Sequence, residues 1–282
     1  MNKKGFIFFA MLSAMMICGE YAMVRPTSNA LFLTLFSVKA YPWVWLATVP
    51  LNLLVIYLYN RFLPKIGPLR ILWIFAITTM IINGLAGFLY SRFPPFIFFQ
   101  YAWKDIYVLL MLKQLWSMIH TTIPASNAKR LYGCIYGVGT IGAIAGSLIP
   151  GYLATFFGSE KILYLTVPLY LSLLICYSMA FRRSEVKANT FERALTLDPR
   201  PKEALSLIRR SKVLVAVLLL VIFMQASVGL IEYQFNAHLE LHILDQDLRT
   251  AYCGKLAGLV NVLSLIFQFV VGFLMVKTLG LR

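Results

Sequence analysis

Eight long apolar runs constrain this chain more than any motif it carries. They cover residues 5–36, 43–59, 71–90, 106–123, 131–157, 162–181, 213–235 and 254–276. A helix crosses the hydrocarbon core of a bilayer with about 17–25 predominantly apolar residues, and every run reaches that range. Composition agrees. The chain is 60% hydrophobic and 13% charged, whereas a soluble domain carries roughly 25% charge to cover its surface. The expected fold is therefore an all-α polytopic membrane protein. The N-terminus, Lys3 and Lys4 followed by FIFFAMLSAMMIC, imitates a signal peptide. The apolar pattern continues beyond Arg25 and Pro26, so a first membrane helix, tilted and broken at Pro26, accounts for the same residues.

The formal net charge of +15 would suit a nucleic-acid partner, but its placement argues otherwise. With the N-terminus in the cytoplasm, eighteen of the 26 Lys and Arg residues fall on the cytoplasmic side and six opposite. Arg25 and Lys113 lie within runs. This asymmetry is the positive-inside pattern, and it predicts a bacterial inner-membrane protein with no nucleic-acid partner. The four cysteines, Cys18, Cys134, Cys176 and Cys253, form no CxxC pair and read as free thiols. His238 and His242 are four apart but lack a third ligand, so they read as surface loop residues. No metal, cofactor or catalytic motif is expected, and the chain is not read as an enzyme.

The organisation follows from the loops. Residues 1–183 read as a six-helix bundle. Residues 184–211 form a basic linker whose part 201–210 suits an amphipathic surface helix. Residues 212–282 hold two further helices. Six helices, a long basic loop and more helices is the layout of the major facilitator superfamily. That layout calls for four additional helices, so the chain reads as a fragment or truncated product of that plan or as a departure from it, with a partner chain as one source of the remaining helices.

Within the runs, Gly133 with Gly137 and Gly142 with Gly146 form two GxxxG pairs, and Gly139 adds a further small residue. Small residues let helices approach closely in lipid. Ionisable residues inside spans are costly and mark functional positions. Glu20 and Arg25 stand five apart in the first run and are expected to neutralise each other. Lys113 and Gln114 lie in the fourth run beside Trp116, and Glu232 lies late in the seventh. Arg25 and Lys113 would attract an anionic group, Gln114 would hydrogen-bond it, and Glu232 would balance charge.

Three segments carry a family resemblance. Residues 21–29, YAMVRPTSN, resemble a first-helix segment Y-x-x-L-R-D-T-K-D. Residues 114–116, QLW, and 128–132, AKRLY, resemble a fourth-helix E-L-W and the A-K-R-F-Y after it. Residues 229–232, GLIE, resemble a seventh-helix N-L-V-E. These belong to the ATP/ADP translocases of plastids and intracellular bacteria, relatives of the major facilitator superfamily. The resemblance implies a secondary transporter working by alternating access on a small anionic metabolite, with nucleotide exchange as the family activity. Family charges are replaced here by Ser28, Gln114 and Asn236. The residues alone leave a second reading open, a partial, non-transporting membrane protein or scaffold.

Overall fold

The computed structural model describes residues 3–123, 125–184 and 210–278, and among them no strand occurs. The expected surface helix over 201–210 falls almost wholly outside the described residues. Among the described residues eight long helices are formed: α1 Lys3–Phe36, α2 Tyr41–Ile66, α3 Pro68–Leu89, α4 Pro95–Thr122, α5 Ala125–Phe157, α6 Thr166–Arg183, α7 Lys212–His242 and α8 Gln246–Thr278. A helical turn at Ser159–Ile162 and a 3-10 turn at Leu163–Leu165 lead into α6. Seven of the eight are long and apolar enough to cross a membrane. The other is α4, whose polar residues turn inward: Gln100, Lys104 and Gln114 are all buried. The fold is that of an all-α, multi-pass membrane protein.

Turn chemistry sets the boundaries. Gly67, at φ 86°, joins α2 to α3, and Gly158, at φ 90°, ends α5. Both need the left-handed region that glycine enters without a Cβ penalty. Prolines open α3 and α4, where a missing N–H costs nothing. Pro26 departs from its expected role, because α1 runs through it unbroken. Thr27 Oγ1 donates to the Met23 carbonyl at 2.9 Å. Hydroxyls and packed neighbours of this kind are what let membrane helices absorb a proline. At 34 residues α1 is about 51 Å long, so it must tilt to fit a bilayer.

Helix α1 is the spine of the bundle and packs on α4, α5, α6 and α8, while α5 also packs on α8. Side-chain pairs fix the directions. Glu20 meets Tyr107 and Ser28 meets Gln100, so α1 and α4 are antiparallel. Arg25 meets Glu232 and Asn29 meets Asn236, so α1 and α7 are parallel. The bundle thus has a Lys3 end and a Phe36 end. One apolar cluster, with Phe6, Tyr59, Tyr107 and Tyr177, fills the Lys3 half. A second, with Phe32, Tyr41, Tyr101, Leu239 and Cys253, fills the Phe36 half. There the Phe32 and Tyr101 rings lie 4.6 Å apart.

Candidate functional site

Helix α1 carries Tyr21 and Arg25 one turn apart on one face. The Arg25 guanidinium lies 3.6 Å from the Glu232 carboxylate of α7, with the two side chains 54% and 28% exposed. Tyr21 Oη donates to Asp105 Oδ1 at 2.8 Å. Lys104 Nζ donates to Asp105 Oδ2 at 2.8 Å and sits 4.0 Å above the Tyr101 ring. Two cations and two carboxylates from three helices therefore meet in one formally neutral cluster. Each can compensate another, which makes the four charges tolerable inside a bundle.

Glu20 does not neutralise Arg25. Five positions turn a helix by 500°, which places the two side chains about 140° apart. Glu20 faces the interior of the first six helices and is 2% exposed. It accepts hydrogen bonds from Tyr107 Oη and from Asn83 Nδ2 at 3.3 Å. Gln100 Nε2 extends this chain, donating to Asn83 Oδ1 at 3.1 Å and Ser28 Oγ at 2.8 Å.

Lys113 and Gln114 do not join the cluster. They stand eight and nine positions beyond Asp105 on α4, about 12–14 Å further along its axis. Gln114 is buried, and its amide donates to the Pro68 carbonyl at the α2–α3 turn, so it holds that turn.

Toward the Phe36 end, polar contacts bind α7 and α8 to the earlier helices. Asn29 Nδ2 donates to Asn236 Oδ1 at 2.6 Å, and Tyr41 Oη donates to Asn29 Oδ1 at 2.6 Å. The Val38 amide donates to Glu240 Oε2 at 2.9 Å. Arg249, buried, donates to the carbonyls of Ile243 and Glu240 at the end of α7 and to Thr34 Oγ1. A cation is well placed among the last carbonyls of a helix. Asp247 accepts from the Ser159 amide at 2.7 Å and its hydroxyl at 2.5 Å. It thus caps the Ser159–Ile162 turn from across the interface.

The pattern of the sequence missed most of this seam. Lys104 and Asp105 precede the apolar run at 106, and Arg249 precedes the run at 254, so they read as loop residues. The helices begin earlier, at Pro95 and Gln246. Proline at the start of α4 was the available signal. His238 and His242 likewise lie in the last turn of α7 rather than in a loop, with His242 Nδ1 2.9 Å from the His238 carbonyl.

Between α1, α4, α5 and α8, nearer the Lys3 end, is a cavity of about 290 Å³. Cys18, Trp116, Tyr136, Thr140, Asn261, Ser264 and Gln268 line it, and among the described residues no charged side chain does. Cys18 and Arg25 are seven apart, hence on one face of α1 and about 10 Å apart along it.

The glycines shape the walls. A Cβ on Gly142 would collide with the Met15 carbonyl, and one on Gly146 with the Gly19 carbonyl. Gly139 lies against Cys18 Sγ, 3.2 Å from a Cβ position. A Cβ on Gly137 would meet the Phe269 ring at 3.4 Å, while Gly133 faces open space and brings no helix close. Gly151 and Gly254, which the spacing did not single out, pack α5 against α8.

No curated protein and no solved structure matches the chain. Residues 45–282, most of the sequence, match the description Major Facilitator Superfamily. With eight bundled helices and polar contacts joining α7–α8 to the first six, this multi-pass membrane protein belongs to the Major Facilitator Superfamily, a family of secondary transporters.

Proposed function

We propose that the protein moves a small anionic metabolite by alternating access, with Arg25 as its anion-binding group. The observation that carries this reading is the Arg25–Glu232 pair. It joins α1 to α7 across the interface, it is loose at 3.6 Å, and the Arg25 side chain remains 54% exposed. An incoming anion can replace Glu232 without leaving the guanidinium unpaired. The cavity about 10 Å along α1 would receive the uncharged part of the metabolite. The resemblance of residues 21–29 and 229–232 to ATP/ADP translocases favours a nucleotide, taken up by exchange.

In this reading residues 1–183 and 212–282 rock against each other, with 184–211 as the linker. The N-terminus faces the cytoplasm, and the membrane is a bacterial inner membrane. Glu232 balances charge when the anion leaves. Lys113 and Gln114, set apart along α4, contribute to the anion site only in another conformation.

Reconstituted vesicles test this. Labelled nucleotides and smaller anions should exchange across the bilayer, and Arg25→Ala should lower uptake by roughly tenfold or more, the scale of a lost charge-assisted contact. Uptake unchanged by Arg25→Ala for a transported anion contradicts the site. Uptake of only uncharged solutes contradicts the substrate class.

A further inference from the structure

The two ends of the bundle differ in their charge. Among the described residues the carboxylates are Glu20, Asp105, Glu160, Glu232, Glu240, Asp245 and Asp247, all at mid-bundle or toward the Phe36 end. None stands at the Lys3 end, where α2, α3, α6 and α7 present Arg61, Lys65, Arg70, Arg182, Arg183 and Lys212.

Three of these cations, Arg70, Arg182 and Arg183, lie at the Lys3 ends of the neighbouring helices α3 and α6. Trp73 Nε1 of α3 donates to Ser178 Oγ of α6 at 3.1 Å, which sets the two helices side by side. Arg70 stands one turn nearer the Lys3 end than Trp73, and Arg182 one turn nearer it than Ser178. Both arginines are exposed. Beside them Arg183 lies with its guanidinium 4.4 Å above the Phe9 ring. Its Nη1 is buried and has no hydrogen-bond partner. A buried guanidinium N–H without an acceptor is costly, and among the described residues no carboxylate stands at this end to serve it.

The surface next to the arginines is apolar. Along the same two helices Ile74, Ile77, Ile175 and Met179 are exposed and apolar. An occupant that suits both features has a phosphate at one end and hydrocarbon at the other. We propose that the α3–α6 groove binds one anionic phospholipid. Arg70, Arg182 and Arg183 hold its phosphate, and its acyl chain lies along Ile74, Ile175 and Met179. A free phosphate matches the arginines but not the apolar face they adjoin. The planar guanidinium fork pairs with two phosphate oxygens at once. The assignment is independent of what the protein carries.

The full chain, reconstituted in vesicles of phosphatidylcholine with phosphatidylglycerol and then examined by native mass spectrometry, tests it. Wild type should retain phosphatidylglycerol in preference to phosphatidylcholine. The exposed pair Arg70→Gln with Arg182→Gln leaves the core untouched and should lose roughly fivefold of that preference per arginine. Arg183→Gln should lose a similar amount, while Arg61→Gln on α2 should change nothing. Excess inorganic phosphate should not displace the lipid. Equal retention of both lipids by wild type, retention unaltered in the Arg70 and Arg182 variant, or displacement by phosphate alone would overturn the proposal.

Discussion

The Phe36 end and the Lys3 end of α7 and α8 are opposites in how they meet the rest of the protein. At the Phe36 end, Asn236 and Leu239 of α7 and Arg249 and Thr250 of α8 are buried. There Asn29, Thr34, the Val38 amide and Ser159 supply partners from the earlier helices. Toward the Lys3 end, α7 has an 18-residue apolar window with no residue buried. Its exposed face there is Val, Leu, Ile and Phe from 213 to 223, suited to lipid rather than to polar partners. Polar bonds with fixed geometry close one end. At the other, α7 stands exposed while α8 stays against α5, where Gly137 approaches the Phe269 ring, and the cavity beside Trp116 and Gln268 lies toward it. Under the proposed function this is a carrier with one gate shut.

Both ends share one spine, so the largest expected effect comes from disturbing it. Gly146→Leu forces a side chain into the Gly19 carbonyl of α1, and α1 cannot shift without moving both clusters. A loss of about 4 kcal/mol or more is expected, measured as lost folded protein on size-exclusion chromatography in detergent. Gly133→Leu, with open space around it, serves as the matched control and should stay folded. Next comes the seam alone. Arg249→Ala removes three donor contacts from a buried cation, and thermal unfolding should show a loss of about 3 kcal/mol. Asp247→Ala uncaps the Ser159 turn at about 1 kcal/mol. At the other end, Leu220→Ala on the exposed face of α7 should fall within about 0.5 kcal/mol. If it costs as much as Arg249→Ala, the two ends are not different in kind.

Span count and fold class were legible because apolar run length reports the bilayer directly. Boundaries were less so, for a physical reason. Lys104, Asp105 and Arg249 lower local hydropathy, so a run-length criterion stops short of them. A helix can still carry charges where neighbouring helices supply partners. The glycine pairs show a related limit. Gly133–Gly137 and Gly142–Gly146 have the same spacing, yet Gly133 meets nothing. Spacing specifies a face, and only the packed structure says what that face meets. Arg25 and Glu232 were both recognisable as charges within spans. Their pairing joins positions 207 apart and needed the bundle. Glu20 was recognised too, but its partners Asn83 and Tyr107 come from other helices, so the nearest charge in sequence was the wrong partner.

Cysteine labelling tests the gate most directly, because the chain carries its own reporters. Cys253 lies behind the seam, 8% exposed, while Cys18 lines the cavity and Cys134 is exposed. In vesicles, a maleimide should label Cys134 readily and Cys253 hardly at all. The combined Asp247→Ala and Arg249→Ala variant should raise Cys253 labelling by roughly tenfold, the population shift that about 1.4 kcal/mol produces, while Cys18 labelling falls. Cys253 labelled as fast as Cys134 in wild type, or a rate unmoved by breaking the seam, would contradict a closed gate at the Phe36 end.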